Sequence, residues 1–260
     1  MSNLHKQAEA GRLHSTTSSS EEYAPQAGAP NVHDEGGAPF KGRTLTPGGH
    51  ILDTSQPAFP TFHRRFANPA PLGLCAFALT TFMLSLINLS TRGVTVPNIV
   101  VGPALFYGGL AQLLAGMWEF AVGNTFGATG FTSYGAFWIS YAFIVSPWSG
   151  IAASYEDPQM FKNGVAFFLF GYFIFTTIMT LATLRASIAL FFTFFTVDIT
   201  FLMLGLSELG VGNPAALQTA GGSFGIVAAF AAWYTAACSL IVKDTAYFNL
   251  PAGELPKRRD

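Results

Sequence analysis

The residues with the most chemical promise are polar groups embedded in apolar sequence. Asn98, Gly102, Leu105, Gly109, Gln112, Gly116 and Glu119 recur at intervals of four and three, which places them on one face of a helix. All but Leu105 are glycine or polar. Such a stripe has two readings. Glycines at this spacing let membrane helices approach closely while amides bond across the contact, which makes a packing seam. The same stripe can form one wall of a polar pathway, and Glu119 favours that reading at its own end. A carboxyl inside a bilayer costs about 2.5–3.5 kcal/mol on insertion scales and usually faces an interior or a cavity. It is also a candidate for proton exchange with a passing solute.

Two further stripes point the same way. Phe77, Thr81, Leu84, Ser85 and Asn88 share one side of a helix, and Thr193, Thr196, Thr200 and Ser207 share another. A threonine hydroxyl can bond back to its own helix, so each alone says little. Together the stripes suggest a narrow lumen. Gly221, Gly225, Ala228, Ala232 and Ala236 read purely as helix packing. Asp198 lies off the threonine stripe, on a face with Phe191, Phe194, Phe201 and Gly205. It could meet another subunit, pair with a hydroxyl or hold a proton, and the sequence does not choose.

Catalysis is disfavoured by what accompanies these groups. All five histidines (His5, His14, His33, His50 and His63) precede the first apolar run, so no histidine metal cluster forms inside it. A serine or cysteine hydrolase would lack an embedded base, and neither Glu119 nor Asp198 sits in a paired-aspartate motif. Cys75 and Cys238 lie in apolar runs and read as small hydrophobes. The expectation is a protein that is not an enzyme and needs no metal or cofactor. A net charge of −1 without basic runs gives no reason to expect nucleic acid as a partner.

The elements that must position these residues follow from composition. Half of the 260 residues are hydrophobic and only 10% are charged, against about 25% in an ordinary globular protein. Of the 27 charged residues, 12 lie in 1–65 and 7 in 243–260. A soluble fold with so little charge on its surface would aggregate. The chain therefore reads as an all-α, polytopic integral membrane protein whose apolar partner is the lipid bilayer. Six apolar runs of about 20 residues or more can each span it. They cover roughly 70–89, 97–121, 126–147, 163–183, 186–206 and 219–242. The runs are continuous rather than alternating, which excludes a β-barrel.

Three segments result: a disordered cytosolic tail over 1–65, a six-helix transmembrane domain over 66–243 and a short cytosolic tail over 244–260. Residues 1–65 are rich in Ser, Gly, Pro, Ala and His and cannot bury enough apolar surface to offset ordering. The Ser/Thr run at 15–20 is a phosphorylation candidate, with a solvated linker the simpler reading. No apolar stretch precedes residue 66, so the first span itself is expected to direct insertion. With six spans both tails share a side. That side carries Arg64, Arg65, Arg185, Lys243, Lys257, Arg258 and Arg259, against Arg92 and Lys162 opposite. The bias predicts both termini in the cytosol.

The run Asn68-Pro69-Ala70-Pro71-Leu72-Gly73-Leu74 makes a capped helix start, with Asn68 as cap and Pro69 at the first position. Capping alone does not demand all seven residues. Together with Phe77-Ala78-Leu79-Thr80-Thr81-Phe82, Phe106-Tyr107-Gly108-Gly109-Leu110, Gly116-Met117-Trp118-Glu119 and Asn124-Thr125-Phe126-Gly127, it resembles the acetate uptake transporter family of fungi and bacteria. Thr132-Ser133-Tyr134-Gly135-Ala136-Phe137-Trp138 and Ala231-Ala232-Trp233-Tyr234 continue the resemblance across the membrane region but not into the tails.

The resemblance implies a six-helix protomer assembled as a homohexamer, with one pore through each protomer. It implies plasma-membrane transport of acetate and other small monocarboxylates, with succinate a further substrate, either with protons or in a channel-like manner. Some relatives are linked to ammonium or ammonia export, which is the alternative cargo. A membrane signalling or scaffold protein is the alternative class, and it would need no polar stripe. Carried over residue by residue, Asn68, Pro69, Ala70, Pro71, Leu72 and Gly73 line the mouth and anion-binding region. Phe77 and Tyr134 match aromatic constriction positions, and Glu119 matches an acid implicated in transport. Thr81 and Gln112 belong to the same pathway. Thr193 stands where the family pattern has an apolar constriction residue, and Asp198 where an apolar residue is expected.

Overall fold

The computed structural model describes residues 66–242 and 246–255. The 1–65 tail, its histidines and Ser/Thr run, and the cluster Lys257, Arg258 and Arg259 lie outside the described residues. The chain builds six long helices among the described residues: α1 Ala70–Asn88, α2 Pro97–Ala121, α3 Thr125–Val145, α4 Pro158–Ala182, α5 Ile188–Glu208 and α6 Pro214–Leu240. Five of them are long and apolar enough to cross a membrane. The other, α3, is equally long at 21 residues, but its glycines, hydroxyls and tyrosines dilute its apolar content. The protein is a multi-pass, all-helical membrane protein.

Helix starts follow the capping residues rather than the edges of the apolar runs. Asp157 accepts from the Gln159 amide at 2.8 Å, so α4 begins at Pro158, a turn ahead of its run. Asn213 accepts from Ala216 at 3.2 Å and starts α6 at Pro214 in the same way. Asn124 caps α3 through Gly127 at 3.1 Å, and Ser187 caps α5 through Leu190 at 3.2 Å. Each supplies an acceptor to a first-turn N–H that lacks a helical partner.

Helix α2 is not uniform. Its centre, Phe106–Ala111, is π-helical, between an α-helical turn at Val101–Leu105 and the α-helix Gln112–Ala121. A wider turn shifts the faces on either side of it out of register. The seven-residue stripe therefore splits. Gly109, Gln112, Gly116 and Glu119 are buried, whereas Asn98 and Gly102 are exposed and Leu105 is half-buried. Val100 and Ala104 take the inward positions in the first half.

The buried half of the stripe is a seam against α3. A Cβ on Gly116 would lie 2.5 Å from the Thr132 backbone nitrogen and 3.1 Å from the Phe131 carbonyl carbon. From the other side, a Cβ on Gly135 would lie 2.7 Å from Leu113 N and 2.9 Å from Gly109 O. Helix α6 presents Gly221, Gly225, Ala228, Ala232 and Ala236, all buried, to its neighbours. A Cβ on Gly221 would meet Leu204 of α5, and one on Gly225 would meet Ser85 of α1. Small residues thus set the approach of α1, α5 and α6.

Of the three readings open for Asp198, the structure displays the hydroxyl partner. Thr177 Oγ1 of α4 lies 3.0 and 3.2 Å from the two carboxylate oxygens. Beyond α6 the chain returns to the start of α5. Ile188 N–H donates to Gly253 O at 2.8 Å, Ala189 N–H to Ala252 O at 3.2 Å and Leu255 N–H to Ala186 O at 3.2 Å. Gly253 has φ of +68°, a left-handed conformation that suits glycine.

Candidate functional site

Two chambers indent the bundle from opposite ends and meet at a thin layer of side chains. The tail-side chamber, about 370 Å³, is reached past the start of α1, the start of α5 and the end of α6, with Ala70, Asn124, Ser187 and Ser239 in its wall. The loop-side chamber, about 360 Å³, is reached past the other ends of those helices, with Asn88, Pro97, Pro158, Ser207 and Gln218 in its wall. Phe77 and Val197 line both chambers. They are 8% and 5% exposed, so the partition between the chambers is apolar and closely packed.

Tyr134 completes this neck. Its ring centroid lies 5.9 Å from Phe77 and 6.0 Å from Phe194, and it stacks on Phe201 at 6.5 Å with planes 6° apart. The Tyr134 hydroxyl lies 2.8 Å from Thr176 Oγ1 of α4, with both groups buried. That bond fixes the ring and engages the hydroxyl in the wall. The small α3 residues allow the rings to pack so deeply: Gly135 adjoins Tyr134 and lies against α2.

Polar groups flank the neck on each side. The whole α1 stripe, Phe77, Thr81, Leu84, Ser85 and Asn88, lines the loop-side chamber, joined by Thr200 and Ser207 of α5. Gln112, Thr193 and Thr235 line the tail-side chamber. The threonines of α5 bond back to their own helix, Thr193 to Ala189 O and Thr200 to Thr196 O, both at 2.8 Å. Their hydroxyl protons are therefore engaged, which leaves the oxygens to act as acceptors.

Most of the remaining sequence candidates fall outside the linings. Of the segment 68–73, only Ala70 lines a chamber. Asn68 Oδ1 accepts from Ala70 N–H at 3.0 Å, which turns the chain into α1. Pro71 is buried, and Gly73 lies beneath the Phe131 ring, where a Cβ would come within 2.7 Å. Leu72 is 47% exposed. The helix begins one residue later than expected: Pro69 occupies the N-cap position and Pro71, not Pro69, lies in the first turn. Apart from Ala70, these residues set the start of α1 through backbone geometry and packing.

Glu119 is 1% exposed and lines neither chamber, although its neighbours do. Its carboxyl packs on Gly127 and beside Asn124, both in the tail-side wall, and Oε1 has no hydrogen-bond partner among the described residues. Thr193, like Tyr134, lines the tail-side chamber and not the other, but unlike Tyr134 it does not stack on Phe77. Val197, one turn further along α5, borders both chambers, and sequence reasoning did not single it out. Its four-residue spacing from Thr193 put it on the same helical face, and that was the available signal.

Residues 51–257 match the GPR1/FUN34/yaaH family. The chain is 50% identical over 203 residues to acetate permease A of Emericella nidulans, covering 74% of this chain and 68% of that protein. It is 41% identical over 216 residues to ammonia transport outward protein 2 of Saccharomyces cerevisiae, covering 83% of this chain and 73% of that one. The solved structure of the bacterial acetate channel SatP superposes with a TM-score of 0.64 at 33% identity, covering 73% of this chain and all of that one. A family match over 51–257 and 50% identity to a curated member settle the relationship: the chain belongs to the GPR1/FUN34/yaaH family.

Proposed function

We propose that the chain carries acetate and related short carboxylates across the plasma membrane, along the line of the two chambers and through the Phe77–Tyr134–Val197 neck. The observation that carries this reading is the geometry of the path. Chambers from opposite ends are parted by one apolar layer that both share. A scaffold protein needs no such path. In this reading all six helices cross the bilayer, both termini are cytosolic, and 66–243 forms the transport domain between cytosolic tails at 1–65 and 244–260. Six copies assemble with one path in each, as the family resemblance implies. Ala70, Phe77, Thr81, Gln112, Tyr134 and Thr193 meet the solute, and 68–73 shapes the mouth.

Labelled-acetate counterflow in vesicles containing only the purified protein tests the reading. Accumulation against a preloaded acetate pool is expected, and its absence in correctly folded protein would overturn the proposal. Ammonium export is the second reading, supported by the 41% identity to ammonia transport outward protein 2. It predicts counterflow of labelled methylammonium instead.

Orientation has its own test. A tag appended after Asp260 is expected to resist an impermeant label on intact cells and to react after permeabilisation. Labelling on intact cells would reverse the topology.

Glu119 can act as a proton carrier or only as a buried partner of Asn124. Glu119→Gln keeps shape and hydrogen bonding but does not titrate. The proton-carrier role requires slower acetate uptake, by about 10-fold or more, or a flattened pH dependence at normal surface level. An unaltered pH profile would make Glu119 a structural residue.

A further inference from the structure

Among the described residues, Glu254 is the one charged side chain in the lining of the tail-side chamber. It does not belong to a helix. It comes from the segment after α6, which is fastened to the bundle at several points. The three backbone hydrogen bonds between 186–189 and 252–255 hold the segment to the N-terminus of α5. The Tyr234 hydroxyl of α6 donates to Pro251 O at 2.7 Å. Ser187 and Glu254 face each other in an antiparallel bridge. The carbonyls of Ala252 and Gly253 take the N–H groups of Ala189 and Ile188, which a helix start leaves without partners. The segment is thus part of the wall, with Ala252 and Glu254 lining the chamber beside Ser187, Cys238 and Ser239.

Fastening makes the charge effective. A carboxylate on a free tail would average over many positions, whereas this one is held at the mouth of a chamber with low-dielectric walls. Such walls focus a field into the opening and alter the local concentration of charged solutes. We propose that Glu254 is a specificity-determining residue, which slows the entry of carboxylate anions from the tail side and favours cations there. The proposal rests on the carboxylate-transport reading above. The opposite chamber differs, because its lining pairs an acid, Glu208, with a base, Lys162.

The test is initial influx of labelled acetate into vesicles selected for tail-side-out orientation, with the full chain including Lys257, Arg258 and Arg259. At low ionic strength Glu254→Gln is expected to raise influx about two- to five-fold, and Glu254→Lys further, while Glu254→Asp stays near wild type. At about 0.5 M salt, where the Debye length falls to about 4 Å, the variants should converge. Methylammonium, given as a cationic probe, should respond in the opposite direction wherever it permeates. Glu254 is exposed, so these substitutions leave the core untouched. If wild type shows acetate counterflow and Glu254→Gln matches it at low salt, the charge filter is wrong and the transport reading stands. An increase that persists unchanged at high salt would mark a steric role and also overturn the proposal. If wild-type protein moves no acetate, both readings fall together.

Discussion

Phe77→Ala is expected to raise transport of propionate and butyrate relative to acetate by about 10-fold or more. A single methylene in an apolar pocket discriminates by about 10- to 200-fold, and this ring is part of the partition between the chambers. The ring lines both chambers, so its removal joins them. Truncation of a buried Phe costs about 3–5 kcal/mol in soluble cores, so Phe77→Leu is the safer companion and should shift selectivity in the same direction. Val197→Ala should act likewise but less, whereas Thr193→Ala should leave the ratio near wild type, because Thr193 borders one chamber only. The measurement is the initial uptake ratio at matched surface level. An unchanged ratio for Phe77→Ala would place the neck elsewhere, and a large effect at Thr193 would restore the position first expected from sequence.

The second large effect is structural. Gly116→Ala puts a methyl group against the Thr132 side chain, 2.5 Å from its backbone nitrogen, and backbone does not rotate away. Overpacking of this kind costs about 1–3 kcal/mol, and α2 and α3 must move apart to relieve it. For a chain of this size that corresponds to a fall of about 2–12 °C in detergent Tm. Gly102→Ala is the matched control from the same sequence stripe. Nothing lies within 4 Å of its Cβ, so it should be neutral or stabilising through helix propensity. Equal behaviour of the two variants would mean that the seam does not hold the helices together.

The helices were legible because the bilayer imposes a length and because polar caps mark their ends. Asn68, Asn124, Ser187 and Asn213 each accept a first-turn N–H as their residue types suggest. The small-residue face of α6 was legible for a similar reason, since a Gly/Ala stripe has one physical use. The α2 stripe was only half readable. Its spacing assumes a constant turn, and the π-helical segment Phe106–Ala111 breaks that assumption without any residue that signals it by type. The neck was readable for Phe77 and Tyr134 but not for Val197, because apolar side chains on one helical face look alike until neighbours are in place. The return of 251–255 to α5 depends on backbone hydrogen bonds, which carry no side-chain signature. Glu119 was readable as a buried acid, yet its position behind the wall depends on the approach of α3 at Gly127.

The thinness of the partition between the chambers has an electrical consequence. If water fills both chambers, nearly the whole membrane potential falls across the layer formed by Phe77, Tyr134 and Val197, much as voltage drops across the narrowest resistor in a series. A solute that crosses as an anion then moves through most of the field in one step, worth about 2.3 kcal/mol per 100 mV. A solute that crosses as the neutral acid feels almost none of it. With the cytosol negative, the anion is driven outward, while the neutral acid follows only its concentration gradient. The current carried per acetate moved, recorded under voltage clamp, therefore reports which form passes the neck.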